Sequence, residues 1–306
     1  MDDTAKKEMS MEEAIGYIKR YQEQSGKSQA AVAQELGISS GALSGFLSGN
    51  YKTPHTIIQK IEDLAELQER KRSSLQEPSY VQTSVSKAVE NAIKYSHVRG
   101  KISVAYGDAG IGKTQACRHY LEQNSLAIGI TISPTYASIT GVNELLADAL
   151  GVRERVARKI TAEIINRLKG SGRVIVIDEA QHLTVRALNH IRCLADEAGI
   201  GVCLVGNEEV YTKLKGSGKA DFAQLFSRIG MRTPVSVQNI TKEDVGKVFQ
   251  DACLKEDALS ILYQICHTNY GLRGAVNVYI NTAAYFDGDV NAGTLARMMK
   301  EMNIGR

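Results

Sequence analysis

The sequence predicts an α/β protein with a parallel sheet, followed by a helical C-terminal region and preceded by a small all-α domain. Short apolar runs such as 101–106 and 173–178 have the length and β-branched content of strands buried on both faces. Segments of helical periodicity separate these runs, as a parallel sheet requires. Before them, residues 11–65 have a different spacing of apolar residues, which predicts short helical segments bounded by serine and glycine.

The N-terminal region, residues 1–68, is predicted to be a helix-turn-helix domain. A helix over 11–24 precedes two shorter helices, for which Ser28 and Ser39 are N-caps and Gly37 is the C-cap glycine between them. Two short helices joined by a tight glycine turn form the unit that reads the major groove of DNA. The pattern resembles the helix-turn-helix of phage repressors.

The second of these short helices predicts DNA contacts with little sequence preference. Ser39, Ser40 and Ser44 stand where repressors present Gln, Asn or Arg to base edges, and serine does not distinguish the bases. Lys52 is expected to contact a phosphate. A purely protein-binding helical domain is the alternative at this stage.

The most specific motif of the chain follows its first predicted strand. Residues 107–114 match the phosphate-loop pattern G-x-x-x-x-G-K-[ST] at every fixed position; they are Gly107, Asp108, Ala109, Gly110, Ile111, Gly112, Lys113 and Thr114. A strand that turns into a helix, predicted over 115–123, aims backbone N–H groups and the helix dipole at one anion. Lys113 is expected to reach the β- and γ-phosphates of ATP, and the Thr114 hydroxyl to bind Mg²⁺.

A later strand, 173–177, ends in two carboxylates. Asp178 and Glu179 follow it directly, at the edge where open α/β sheets bind ligands. Asp178 is predicted to hold Mg²⁺ and Glu179 to be the base that polarises the attacking water, because ATP hydrolysis needs both. A strand that ends in a solvated acidic turn is the alternative, and the phosphate loop upstream argues against it.

The remaining elements of the core complete this pattern. A second strand is predicted over 126–132, helices over 141–150, 160–169 and 184–198, and a further buried strand over 201–206. Asn207 follows this strand and is expected to lie beside the end of the acidic strand. Its polar side chain is expected to position the lytic water. A simple turn at Gly206 and Asn207 is the alternative.

Arginines after the core are predicted to reach the nucleotide from outside it. Arg228 is the preferred arginine finger, offered across a subunit boundary to the γ-phosphate, with Arg232 as the second choice. Arg273 opens a helix in the helical tail and is expected to contact the nucleotide from a lid. Structural ion pairs are the alternative for these side chains.

Breaks in the periodicity give the domain boundaries. Over 69–80 the apolar pattern stops, and charge, serine and a proline predict a linker. The prediction is therefore a helix-turn-helix domain at 1–68, the linker, an ATPase core at 81–238 and a helical lid or C-terminal domain at 239–306.

The order of these motifs resembles that of an AAA+ ATPase: the phosphate loop, the Asp-Glu-Ala strand end, Asn207 as the sensor asparagine, and the helical lid. With the helix-turn-helix in front and Leu225-Phe-Ser-Arg-Ile229 in the finger region, the chain is similar to the Mu B-like family of phage transposition proteins. The strand endings 130–134 and 204–207 are also similar. The resemblance implies an AAA+ P-loop sheet with a helical lid. It implies an ATPase that binds double-stranded DNA largely without sequence preference and forms ATP-dependent helical filaments. Such a protein selects the target of a DDE-type transposase and produces target immunity.

A basic stretch is the second candidate for DNA contact. Residues 152–173 hold seven Lys and Arg against two Glu, which suits a phosphate backbone or a solvated helix face. The resemblance places pore-facing DNA contacts at Arg153, Arg155, Arg158 and Lys159, although the spacing of these residues differs from the family's pattern.

Composition excludes several other classes. With 43% hydrophobic and 23% charged residues, the chain is typical of globular proteins, and it has no apolar run long enough to span a membrane. The polar N-terminus does not resemble a secretory signal, and five cysteines without a C-x-x-C pair predict a reducing compartment, here the cytoplasm of a bacterial host. A helicase loader and an ATP-sensing helix-turn-helix transcriptional regulator remain the alternative functions.

Overall fold

A computed structural model describes residues 9–73, 78–215 and 227–305 of the chain. The chain divides into two compact units, Met1–Gln76 and Glu77–Arg306, which are described separately. In these described ranges no helix is long and apolar enough to cross a membrane.

The first unit is helical. Its described helices are α1 (Met11–Ser25), α2 (Gln29–Glu35), α3 (Ser40–Leu47) and α4 (Pro54–Ser73). They enclose a small core that includes Ile18, Val32, Leu43, Phe46 and Ile57, all almost fully buried. Each of these helices contributes apolar residues to this core.

Side-chain caps define the turn between α2 and α3. Ser28 Oγ accepts the backbone N–H of Ala31 at 3.3 Å, and Ser39 Oγ accepts that of Ala42 at 3.1 Å. Gly37 follows the C-cap residue Leu36 and has φ +61°, the left-handed conformation that commonly ends a helix. Two short capped helices joined by a glycine turn are therefore present.

The last helix of the first unit differs from the sequence-based expectation. Helix α4 continues through Ser73, into the segment 69–80 that was predicted as a linker. The residues there, Glu69 to Lys71, have high helix propensity, and a helix does not need an apolar face to continue. The loss of apolar periodicity therefore does not mark the end of the helix.

A parallel sheet of five strands organises the second unit. The strands are β1 (Ile102–Gly107), β2 (Ala127–Thr131), β3 (Val174–Asp178), β4 (Gly201–Gly206) and β5 (Ile229–Val235), and their order across the sheet is β2-β3-β4-β1-β5. Every strand pair is parallel. The phosphate-loop strand β1 is therefore separated from the acidic strand β3 by β4, and all three end at the same edge.

Helices cover both faces of the sheet. They are α5 (Ser84–Arg99), α6 (Lys113–Gln123), α7 (Ile139–Leu150), α8 (Ala157–Leu168), α9 (Val185–Ala198) and α10 (Glu208–Lys215). Side chains of β3 alternate between two cores: Val174 and Val176 pack with α5 and α6, and Ile175 and Ile177 pack with α7, α8 and α9. Burial on both faces explains why this strand is an uninterrupted apolar run.

Strand β5 was not recognised from the sequence. Its residues alternate between buried and exposed, and it contains Gly230 and Pro234, which weaken a strand pattern. It lies at the edge of the sheet beside β1, where a proline is tolerated because no neighbouring strand needs its missing N–H.

The C-terminal region is helical, as predicted. Its helices are α11 (Lys242–Val248), α12 (Glu256–Cys266), α13 (Gly271–Tyr285) and α14 (Ala292–Glu301). They form a separate core that includes Leu262, Val278 and Leu295, and Ile111 of the phosphate loop is buried in the same core. The lid is thus packed directly onto the loop.

Candidate nucleotide-binding site

The phosphate loop runs from the end of β1 to the start of α6. Gly107 has φ +144°, and a Cβ there would lie 1.7 Å from the carbonyl oxygen of Val235, so the position requires glycine. Gly112 is the N-cap of α6 and also has a positive φ. Asp108 Oδ2 accepts the backbone N–H of Val237 at 2.8 Å, which ties the loop to the end of β5.

Lys113 is folded over its own loop. Its Nζ donates to the carbonyl oxygen of Gly107 at 3.0 Å and to that of Asp108. Burial lowers the pKa of the Lys113 ammonium, and the nearby Glu179 and Asp178 carboxylates oppose this shift. A half-buried ammonium that rests on the carbonyl oxygens of its own loop is well placed to neutralise a phosphate.

The two oxygen donors predicted to bind Mg²⁺ lie next to each other. Asp178, 6% exposed at the end of β3, forms a hydrogen bond with the Thr114 side chain and accepts the backbone N–H of Glu179 at 2.9 Å. Burial raises the pKa of Asp178, and these hydrogen bonds oppose the rise. A carboxylate and a hydroxyl that converge at the phosphate loop are hard ligands of the kind Mg²⁺ takes, so these residues fit that ion.

Glu179 lies at the turn where β3 ends. Its backbone is left-handed, with φ +54°, which is uncommon for a residue other than glycine and occurs often at functional sites. Its carboxylate lines the same cavity as Lys113 and Thr114. The arrangement separates the two acidic residues: Asp178 contacts Thr114, and Glu179 faces the cavity.

A buried glutamine joins Glu179 to the end of β4. Gln181 Nε2 donates to Glu179 Oε2, and Gln181 Oε1 accepts the backbone N–H of Asn207 at 3.2 Å. Asn207 Oδ1 accepts the backbone N–H of Glu209 at 2.9 Å and so caps α10. Its amide nitrogen remains as a donor towards the cavity that Asn207 lines.

The cavity over the loop has a volume of 540 Å³ and is bounded by core, lid and the segment before α5. Its lining residues from the loop, α6 and the strand ends are Ala109, Gly110, Gly112, Lys113, Thr114, Gln115, Arg118, Glu179, Gln181, Gly206 and Asn207. Those from the other two walls are Pro78, Ser79, Tyr80, Val81, Thr83, Ser86, Val248, Leu272, Arg273, Val276 and Asn277. The apolar members of the second set suit the face of a nucleotide base.

The segment 78–83, which we call the strap, is held to the core by Glu90. Glu90 Oε1 accepts the Tyr80 hydroxyl at 2.6 Å, and Glu90 Oε2 accepts the Gln82 amide at 2.7 Å. The Tyr80 ring also stacks on His119, with ring centroids 4.2 Å apart. Burial and the Glu90 carboxylate raise the pKa of Tyr80 to about 12, so the hydroxyl stays a hydrogen-bond donor.

The lid meets the phosphate loop backbone to backbone. The Arg273 N–H donates to the carbonyl oxygen of Gly110 at 2.8 Å. A Cβ on Gly271 would lie 2.9 Å from the carbonyl oxygens of both Ala109 and Gly110, and a Cβ on Gly110 would lie 2.8 Å from that of Tyr270. Glycine on each side therefore allows this close approach.

The chain is similar to known proteins in sequence and in fold. Residues 97–214 match the family described as AAA domain. The chain is 32% identical to the Mu-like prophage FluMu DNA transposition protein B of Haemophilus influenzae over 87% of this chain and 94% of that one. The chain belongs to this transposition protein B family. The ATP-dependent target DNA activator B of Escherichia phage Mu is also 32% identical, over 79% of this chain and 78% of that one. Among solved structures, Cdc6p of Pyrobaculum aerophilum is similar in fold, with a TM-score of 0.50 at 17% identity over 66% of this chain and 62% of that one.

Within this family member, the predicted arginines lie in different places. Arg273 lines the cavity from the lid. Arg228 is exposed, does not line the cavity, and lies 3.7 Å from Asp196 through its Nη2. Arg232 is an exposed residue of the edge strand β5. Leu225 and Phe226, which open the predicted finger segment, lie outside the described residues.

The residues predicted to contact DNA are all exposed. Ser40, Ser44 and Lys52 are exposed in and after α3, and Ser39 is exposed while its Oγ caps that helix. In the second unit, Arg153 and Arg155 lie in the segment between α7 and α8, and Arg158 and Lys159 are in the first turn of α8. Val156, in the middle of this basic stretch, is 55% exposed.

Sequence reasoning missed several polar residues of the site, among them Arg118 and Gln181. Arg118 lines the cavity one helical turn after Thr114, and this i, i+4 spacing from a motif residue was a usable signal. Gln181 follows the Asp-Glu pair closely, but only the fold brings its amide against Asn207, so the sequence carried no sign of that contact.

Proposed function

We propose that the chain is an ATP-dependent target DNA activator. In this role it hydrolyses ATP, binds double-stranded DNA, assembles on it as a helical filament in the cytoplasm of a bacterial host, and directs a DDE-type transposase to that DNA. One observation supports the proposal: Asp178 and Glu179 lie near Lys113 of the phosphate loop in a chain 32% identical to the FluMu and phage Mu proteins over most of its length. Target immunity would follow from removal of the filament by the transposase.

The residues of the site have separate roles in this proposal. Backbone N–H groups of 107–114 and the α6 dipole bind the phosphates, and Lys113 neutralises their charge. Thr114 and Asp178 would hold Mg²⁺, which would supply charge neutralisation at the phosphates. Glu179 accepts the proton of the attacking water, while Asn207 orients that water.

Hydrolysis in trans explains the position of Arg228. The side chain is 55% exposed and lies outside the cavity of its own chain, paired loosely with Asp196. An arginine finger must reach the γ-phosphate, so this guanidinium would act on a neighbouring subunit. ATPase activity would then depend on self-assembly, and on DNA where DNA promotes assembly. Arg273 would contact the nucleotide of its own chain from the lid.

DNA binding without a base code fits the two exposed surfaces. Four exposed cations lie in the segment between α7 and α8 and in the first turn of α8: Arg153, Arg155, Arg158 and Lys159. They suit the phosphates of a duplex that a filament encloses. The helix α3 offers Ser39, Ser40 and Ser44, with Lys52 after it, for weak and unselective contacts.

Electron microscopy with a random-sequence duplex tests the proposal. Continuous helical filaments should form with ATP and not with ADP. Lys113→Ala should abolish them because it removes nucleotide binding. Glu179→Gln should bind ATP without hydrolysing it, so its filaments should persist. Closed rings would favour a helicase loader, and assembly on one particular sequence would favour a transcriptional regulator.

A further inference from the structure

Gln181 forms two hydrogen bonds that serve neither phosphate binding nor metal binding. Its side-chain amide is buried, and both of its ends are used: Nε2 donates to Glu179 Oε2, and Oε1 accepts the Asn207 N–H at 3.2 Å. Because the two ends of an amide differ in donor and acceptor character, such a pair of bonds fixes its orientation. In a buried site a fixed amide holds its partner strongly.

Residues of β4 and α10 pack around Gln181. A Cβ on Gly206 would lie 2.4 Å from Gln181 Oε1, so this position of β4 leaves room for the amide only as glycine. The main-chain carbonyl of Gln181 accepts from Lys213 Nζ, on α10. The glutamine is therefore supported by the end of β4 and by α10, and its Nε2 donates to Glu179.

We infer that Gln181 is the positioning residue for hydrolysis, holding the Glu179 carboxylate by one oxygen so that the other accepts the proton of the attacking water. The inference rests on the proposed role of Glu179 as the base. Glu179 lies in a left-handed turn at a strand end, so no regular element fixes its side chain. The Gln181 bond supplies that orientation, and a correctly oriented base is worth a large part of the rate.

Two substitutions separate the two ends of the amide. Gln181→Met keeps the length of the side chain and removes both hydrogen bonds. Gln181→Glu keeps the acceptor for Asn207 but replaces the donor with a carboxylate beside Glu179. Each should lower kcat for DNA-stimulated ATP hydrolysis by roughly tenfold to a hundredfold. The Kd for ATP should stay within a factor of about two, because no phosphate-binding group changes.

A double-variant cycle in the full chain distinguishes positioning from a structural role. If Gln181 acts through Glu179, Gln181→Met should slow the wild type but change the residual, very slow single-turnover rate of Glu179→Gln by less than about twofold. A merely structural defect would lower both rates equally and would overturn the inference. Gln264→Met, the same change at an exposed position of α12, is the matched control and should leave kcat unchanged.

The outcomes separate this inference from the proposed function. Glu179→Gln that hydrolyses ATP at the wild-type rate would refute the proposed base. If the Glu179→Gln variant is inactive but the separate Gln181→Met variant hydrolyses ATP at the wild-type rate, only the positioning role is refuted. Full activity of the Gln181→Glu variant would also refute only that role. Should the Gln181 variants fail to fold, Gly206→Ala presses on the same amide, since its methyl group would lie 2.4 Å from Gln181 Oε1 and 2.5 Å from Val210 Cγ2. It should lower kcat and leave the Kd for ATP unchanged, and normal kcat would refute the role.

Discussion

Replacing Gly271 with alanine should weaken ATP binding as well as the fold, because the methyl group would press on the phosphate loop. Gly271 has φ +60°, where alanine costs about 1–2 kcal/mol. Its Cβ would also lie 2.9 Å from two loop carbonyl oxygens, Ala109 and Gly110, closer than ordinary van der Waals contact. Relieving such overpacking typically costs about 1–3 kcal/mol.

Gly170→Ala is the matched control for this substitution. Gly170 has φ +67°, and a Cβ there would have no neighbour within 4 Å, so alanine at this position incurs only the backbone penalty. The difference between the two variants should therefore be the contact with the loop, about 1–3 kcal/mol of stability. If the methyl group displaces the phosphate loop and ATP binding must return the loop to its wild-type conformation, the same free energy is lost from binding. The Kd for ATP would then rise roughly 5- to 150-fold.

Isothermal titration of ATP and thermal unfolding of both variants measure these quantities. We expect Gly271→Ala to unfold at a lower temperature than Gly170→Ala and to bind ATP more weakly, with Gly170→Ala binding ATP like the wild type. Equal ATP affinity in the two variants would refute the claim that the lid contact fixes the loop.

Three other predictions concern separate parts of the chain. Arg228→Ala and Glu179→Gln should each be inactive alone yet recover ATP hydrolysis when mixed with DNA, since mixed interfaces pair an intact base with an intact finger; no recovery would exclude action in trans. Burial raises the pKa of Asp178, so the wild-type fold loses stability as the carboxylate ionises with rising pH. The stability advantage of Asp178→Asn, measured by denaturation without nucleotide, should therefore grow from acidic to neutral pH, and a shrinking advantage would contradict the burial argument. Lys60 Nζ donates to the carbonyl oxygens of Leu36 and Gly37 at 3.1 Å each. Lys60→Met should destabilise the helix-turn-helix unit by about 0.5–1.5 kcal/mol in chemical denaturation, and an unchanged midpoint would show that the cap contributes nothing.

The predictable part of this protein is the part whose chemistry needs contiguous residues. The phosphate loop and the buried run before Asp178 are fixed by local requirements, namely backbone N–H groups that face one point and a strand covered on both sides. The helical tail and the caps at Ser28 and Ser39 are local in the same sense. Family resemblance followed from the order of these motifs.

What the sequence did not show depends on contacts between distant residues. Strand β5 became a strand by pairing with β1, despite Gly230 and Pro234. Gln181 meets Asn207 only because β3 and β4 are neighbours in the sheet. The lid reaches Gly110 through a backbone hydrogen bond that leaves no side-chain pattern. Such contacts require the strand order, which no single segment encodes.

The strap also sets a rule for building chimeras of this protein. The first unit ends at Gln76, and the residues that follow, 78–83, form a wall of the nucleotide cavity held by Glu90. A foreign N-terminal domain joined before residue 78 would keep that wall. A fusion that begins at α5 instead would remove Tyr80 and Val81 and leave the base side of the cavity open. The segment that looks like a dispensable connector is therefore part of the minimal ATPase.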